Sequence, residues 1–143
     1  MILYVDTSAL VKLYIDEPGR AAVMRALDSS AAVATVRIAY AEARAAFARK
    51  RREGGLDAKG LRQVVQHLDE EWAEFNVVDV SEPLVRRAGN LAERHGLRGY
   101  DAVHLAAALE LTRAGGEVTF GCFDERLRAA ARRVKLRAPA MTI

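Results

Sequence analysis

Four acids stand out in the 143-residue sequence for their surroundings: Asp6, Glu42, Asp101 and Asp124. Asp6 ends the apolar run from Ile2 to Val5 and is followed by two hydroxyls, Thr7 and Ser8, before helical spacing starts at Ala9 and Leu10. A run that short reads as a buried strand rather than an amphipathic helix. In open α/β sheets ligands bind outside the carboxyl ends of the strands, which is where Asp6 stands. Asp124 repeats the pattern after the apolar residues 118–123. Both acids also have a plain alternative, because Asp, Thr and Ser cap helices.

Glu42 lacks the usual excuse for a helical carboxylate. Its neighbours three and four residues away are Ile38, Ala39, Ala45 and Ala46, so no intrahelical ion pair is available. A carboxylate on such a face is costly unless something positive meets it, although Asp69 shares the lack of a partner. Asp101 opens a helix with almost no polar side, from Ala102 to Leu109. Capping, with favourable placement at the helix dipole, is the alternative there too. His104, one turn on, reads as a packed or hydrogen-bonding residue rather than a ligand. If all four acids meet at one sheet edge, their charges repel unless cations neutralise them. An all-oxygen carboxylate set suits magnesium or manganese.

The elements that must position these acids alternate. Helical spacing continues from Ala9 to Tyr14 and breaks at residues 16–19; a second helix covers about 20–27, and residues 32–36 form a short strand. A long helix over about 37–53 is closed by Gly54 and Gly55, and an amphipathic helix covers 57–75. Residues 77–80 are a strand, Pro83 sits early in a helix reaching His95, and 99–114 form an apolar helix. Residues 118–123 are the last clear strand, 124–134 the last helix, and 137–141 an edge strand. The expectation is an α/β fold: a parallel sheet of four or five strands with seven helices on its two faces.

Bulk properties narrow the class. At 143 residues the chain is expected to form one domain, with no linker or internal repeat. Its 51% hydrophobic and 29% charged residues are a globular balance, and no apolar run is long enough to span a bilayer. A lone cysteine, Cys122, is insufficient for a thiolate metal site and fits a reducing compartment, so the expected location is cytoplasmic. The net charge is +3, with six basic residues and no acid after Glu125. That end is compatible with a polyanion, while a solvated helix face is the commoner explanation.

In order and spacing, VDTSAL at the start, AEARAAF around Glu42, YDAVHLAAA from Tyr100 and FDERLRAAA from Phe123 resemble the PIN domain ribonucleases, specifically the VapC toxins of type II toxin-antitoxin pairs. The resemblance implies a three-layer α/β/α sandwich with a central, mainly parallel sheet over residues 1–143. It implies a magnesium or manganese pocket formed by Asp6, Glu42, Asp101 and Asp124, with Thr7 or Ser8 as the hydroxyl beside it. It further implies cleavage of RNA, a cognate antitoxin and homodimerisation, for which Leu13, Tyr14 and the apolar side of residues 57–75 are candidate contacts. Arg44, Arg49, Lys50 and the C-terminal arginines are candidates for holding the RNA backbone. Cys122 departs from the family, which often has Thr or Ser two residues before the last acid; a thiol is a weaker partner for Asp124. Two rival readings remain: a phosphatase with Asp6 as aspartyl nucleophile, and a basic nucleic-acid-binding module whose acids are only caps.

Overall fold

The apolar tetrad ILYV becomes β1 (Ile2–Val5), paired on both sides, and Leu3, Tyr4 and Val5 lose all contact with solvent. The computed structural model describes residues 1–143. After β1 come α1 (Thr7–Lys12), α2 (Arg20–Asp28), β2 (Ala32–Val36), α3 (Ala39–Arg52), α4 (Ala58–Trp72) and β3 (Asn76–Val78). The chain finishes with α5 (Glu82–His95), α6 (Gly99–Arg113), β4 (Val118–Gly121) and α7 (Glu125–Arg133). The four strands are all parallel, in the order β3-β2-β1-β4. Seven helices cover this sheet in a three-layer α/β/α arrangement, as expected.

The strand order positions the candidate acids. The chain steps outward from β1 to β2 to β3, then returns through α5 and α6 to lay β4 against the free side of β1. That reversal sets the carboxyl ends of β1 and β4 side by side, the kind of place where such sheets bind ligands. Register aligns the two ends, with Val5 opposite Gly121 and the Asp6 amide donating to the Gly121 carbonyl at 3.1 Å. The strands approach closely at Gly121, where a Cβ would sit 3.2 Å from the Tyr4 carbonyl oxygen.

The helices follow local chemistry. Ser81 caps α5 by accepting from the Leu84 amide, Pro83 lies in its first turn, and Gly96 ends it at φ 64°. The apolar sequence of α6 is explained by burial of Ala102 and His104 through Ala108. No helix is long and apolar enough to cross a membrane.

Two expectations change. The strand at 118–123 stops at Gly121, because beyond it the chain turns to present Asp124. The edge strand at 137–141 reduces to one parallel bridge, Thr119 with Arg137, where the Phe120 amide donates to the Arg137 carbonyl at 2.7 Å. Pro139 has no amide hydrogen to continue a ladder. Leu13, Tyr14 and Leu61, Val65 and Trp72 of α4 pack partly buried against the core of this chain.

Candidate functional site

Asp6, a candidate site acid, is also the cap of α1. Its Oδ1 accepts from the Ala9 amide at 3.0 Å and from the Ser8 hydroxyl at 2.9 Å, which leaves Oδ2 without a hydrogen bond. The residue is 6% exposed, and burial pushes its carboxyl pKa up, with the charge of Asp101 adding to the effect. His104 and the Ala9 and Ser8 hydrogen bonds oppose that rise. Thr7 and Ser8 do different work, since Ser8 bonds Asp6 while Thr7 bonds Glu42.

The Thr7 hydroxyl donates to Glu42 Oε1 at 2.6 Å and lies 3.1 Å from His104 Nε2. His104 Nε2 is also 3.4 Å from Glu42 Oε1, and the far side of its ring meets the Tyr4 hydroxyl at Nδ1, 2.9 Å away. These partners supply what the apolar face of α3 withheld from Glu42. The hydrogen bond from His104 is the main cause that holds the Glu42 carboxyl below the usual range, and Thr7 adds to it against the effect of burial. Tyr4, fully buried, has its phenol pKa raised first by burial and then by the charge of Asp6. Its ring stacks on Phe120 at 5.4 Å, so the polar tip is aimed by core packing.

Asp101 is not the cap of α6. That position belongs to Arg98, and Asp101 stands in the first turn, where a negative charge meets the helix dipole. Asp101 Oδ2 accepts from Arg98 Nε at 3.2 Å, and the same guanidinium lies 3.8 Å from Asp124 Oδ2. Asp124 caps α7 by accepting from the Leu127 amide at 2.9 Å. Arg98 thus ties together two acids from α6 and the β4–α7 turn. The signal in the sequence was its place three residues before Asp101, the spacing of a helical ion pair.

Cys122 stands among these acids. Its thiol donates to the Asp124 carbonyl at 3.7 Å, a weak bond to backbone that leaves the carboxylate to Arg98 and the cap. Burial raises the thiol pKa, and the charges of Asp6, Asp124 and Asp101 raise it further. One thiol feels three of the four acids, and Glu42 and Asp101 line one cavity of about 780 Å³ together with Arg98 and Tyr100.

As placed, no three of these side chains approach closely enough to close on a single ion. Asp101 and Asp124 are turned toward Arg98 instead. The donor set nonetheless fits a hard divalent cation: all ligands are carboxylate oxygens, and Asp6 Oδ2, Glu42 Oε2 and Asp101 Oδ1 carry no hydrogen bond. Their second oxygens are held in place by the chain, which orients the free ones.

The proposed backbone-holding cations separate. Arg49 and Lys50 line a cleft of about 420 Å³ that also contains Thr7 and Ser8. There Arg49 pairs with Glu53 at 2.9 Å and Lys50 with Glu17 at 3.5 Å. Arg44 lies apart, in a cavity with Asp69 and Arg62, and donates to the Tyr40 hydroxyl at 2.9 Å. Asp69 also finds a partner in Tyr40, at 2.6 Å.

Comparison with known proteins decides the family. The PIN domain description matches residues 3–133. The chain belongs to the PIN domain family. Over 140 residues this PIN domain is 36% identical to Ribonuclease VapC45 of Mycobacterium tuberculosis, covering 97% of this chain and 96% of the relative, so it is VapC-like. Two solved structures share the fold. FitAcB from Neisseria gonorrhoeae aligns with a TM-score of 0.71 at 22% identity, covering 96% of both chains. VapC20 of Mycobacterium tuberculosis, described as a sarcin-ricin loop cleaving toxin, aligns with a TM-score of 0.64 at 20% identity over 90% of this chain and 94% of the other.

Proposed function

We propose that this PIN domain is a magnesium- or manganese-dependent endoribonuclease, the toxin of a type II toxin-antitoxin pair acting in the cytoplasm. The observation that carries the reading is the set of acids, Asp6, Glu42, Asp101 and Asp124, at the reversal point of the sheet, with oxygens left free of hydrogen bonds. The relatives' names, Ribonuclease VapC45 and the loop-cleaving toxin VapC20, support RNA as the substrate.

In this reading Asp6, Glu42, Asp101 and Asp124 would hold the cation, the last two once turned from Arg98. A bound divalent ion supplies Lewis-acid stabilisation of the phosphate and lowers the pKa of water. Ser8 and the Ala9 amide fix the Asp6 carboxylate, and Thr7 and His104 fix that of Glu42. Arg98, 81% exposed, is the cation beside Asp101 and Asp124 that a substrate phosphate would meet, while Arg49 and Lys50 are offset in their cleft by Glu53 and Glu17. Tyr100, Val80 and Val85 leave large apolar surface exposed near the cavity of Glu42 and Asp101. That surface supports an antitoxin or a second copy of the chain covering the mouth.

The phosphatase reading finds less support. Ser8 stands where that chemistry needs a second acid, and the nearby Lys12 pairs with Glu17 at 3.0 Å. The test is RNA cleavage with magnesium or manganese, with and without chelator. Asp6→Asn and Asp101→Asn, each folded, are expected to lose cleavage; full activity in either overturns the proposal, as does cleavage indifferent to chelator.

A further inference from the structure

The hydrogen-bond directions around His104 are determined by counting hydrogens. The Thr7 hydroxyl has one hydrogen, and it is given to Glu42 Oε1 at 2.6 Å. Toward His104 Nε2, 3.1 Å away, the Thr7 oxygen is left able only to accept. The ionised Glu42 Oε1, 3.4 Å from the same nitrogen, also only accepts. Two acceptors face one ring nitrogen, so Nε2 carries the hydrogen. Nδ1, on the other side of the ring, is engaged by the Tyr4 hydroxyl at 2.9 Å. Tyr4 is fully buried and His104 2% exposed, and the Tyr4 ring is pinned against Phe120 and edge-on to the imidazole. The core strand thus holds the ring, and the ring points an N–H at the site.

We propose that His104 is a positioning residue: its Nε2–H, aimed by Tyr4, holds Thr7 and Glu42 Oε1 in place so that Glu42 Oε2 faces the cation. The inference rests on the ribonuclease reading for its consequence, but the direction of the hydrogen bonds stands without it. His104 touches neither substrate nor cation in this role. Partners of this kind behind a metal ligand are worth about 10–100-fold in metal affinity or activity.

Two measurements test it. Nitrogen NMR on the full-length wild-type chain reads the ring directly, and a protonated Nε2 is expected; a bare Nε2 overturns the proposal even if the protein cleaves no RNA. Calorimetric titration with manganese compares wild type, His104→Leu and His104→Gln, with thermal unfolding as the control for folding. Leu removes the donor and is expected to weaken manganese binding by about 10–100-fold. Gln replaces the donor near the Nε2 position and is expected to recover most of the affinity. Wild-type affinity in folded His104→Leu, or equal loss in both variants, overturns the positioning role. Should the Leu variant not fold, the ring nitrogen signature and the Gln variant still decide. Failure of RNA cleavage with the ring signature intact refutes only the ribonuclease reading.

Discussion

Removing one oxygen atom from the core tests how the sheet interior supports the site. Tyr4→Phe keeps the aromatic volume, the stacking on Phe120 at 5.4 Å and the edge contact with His104 at 5.9 Å. It deletes the hydroxyl 2.9 Å from His104 Nδ1. Both residues are shut off from solvent, and the hole left by a hydroxyl is smaller than the roughly 30 Å³ share of one water. Nδ1 is then a buried polar atom without a partner, which costs about 1–3 kcal/mol. Burial and then the charge of Asp6 push the phenol pKa well above its ordinary value, so it is neutral at neutral pH and no charge term enters. For a chain near this length each kcal/mol moves Tm by about 2–4 °C, which gives an expected fall of about 2–12 °C. Differential scanning calorimetry at neutral pH in chelator reads it. An unchanged or raised Tm refutes the claim that the phenol supports the His104 ring.

Three further outcomes follow from the same contacts. Asp6→Asn keeps an acceptor for the Ala9 amide and removes a buried charge. The folded-state pKa of Asp6 is raised, so its contribution to stability is full below the unfolded value near about 3.9 and is lost as pH rises through the folded one. The variant is therefore expected to gain Tm at neutral pH while cleavage is lost, and to gain less at acid pH; equal gains at both refute the argument. Glu42→Gln runs the opposite way: its lowered pKa gives stability above the unfolded value near about 4.3 that disappears as pH falls through the folded one. Thermal unfolding should show a loss at neutral pH that vanishes in acid. Arg98→Ala is expected to change stability by only about 0–1 kcal/mol, since its side chain is 81% exposed. Manganese titration should show tighter binding once the guanidinium no longer competes for Asp101 and Asp124, and weaker binding would refute that competition.

Much of the architecture was readable because its causes are local. Burial on both faces makes β1 and β4 short apolar runs, amphipathic spacing marks α4, and Ser81, Pro83 and Gly96 bound α5 through their own backbone preferences. The edge strand was misread at Pro139 because the apolar pattern of residues 137–141 suits a strand whether or not a ladder forms. The four acids stood out for different reasons: Glu42 had no partner on its own helix, Asp6 and Asp124 followed apolar runs, and Asp101 opened an apolar helix.

Pairing between distant side chains was not readable. Tyr4 and His104 are 100 residues apart, Thr7 and His104 97, and only the return of α6 over the reversed sheet brings them together. Arg98 was hidden differently, as one arginine among 18, and its role between Asp101 and Asp124 depends on where the β4–α7 turn lands. From the sequence alone came the order of elements and the candidate acids, because periodicity and capping act over a few residues. Which oxygen each acid keeps free was decided only in the tertiary structure, because hydrogen bonds there join groups that the chain itself holds far apart.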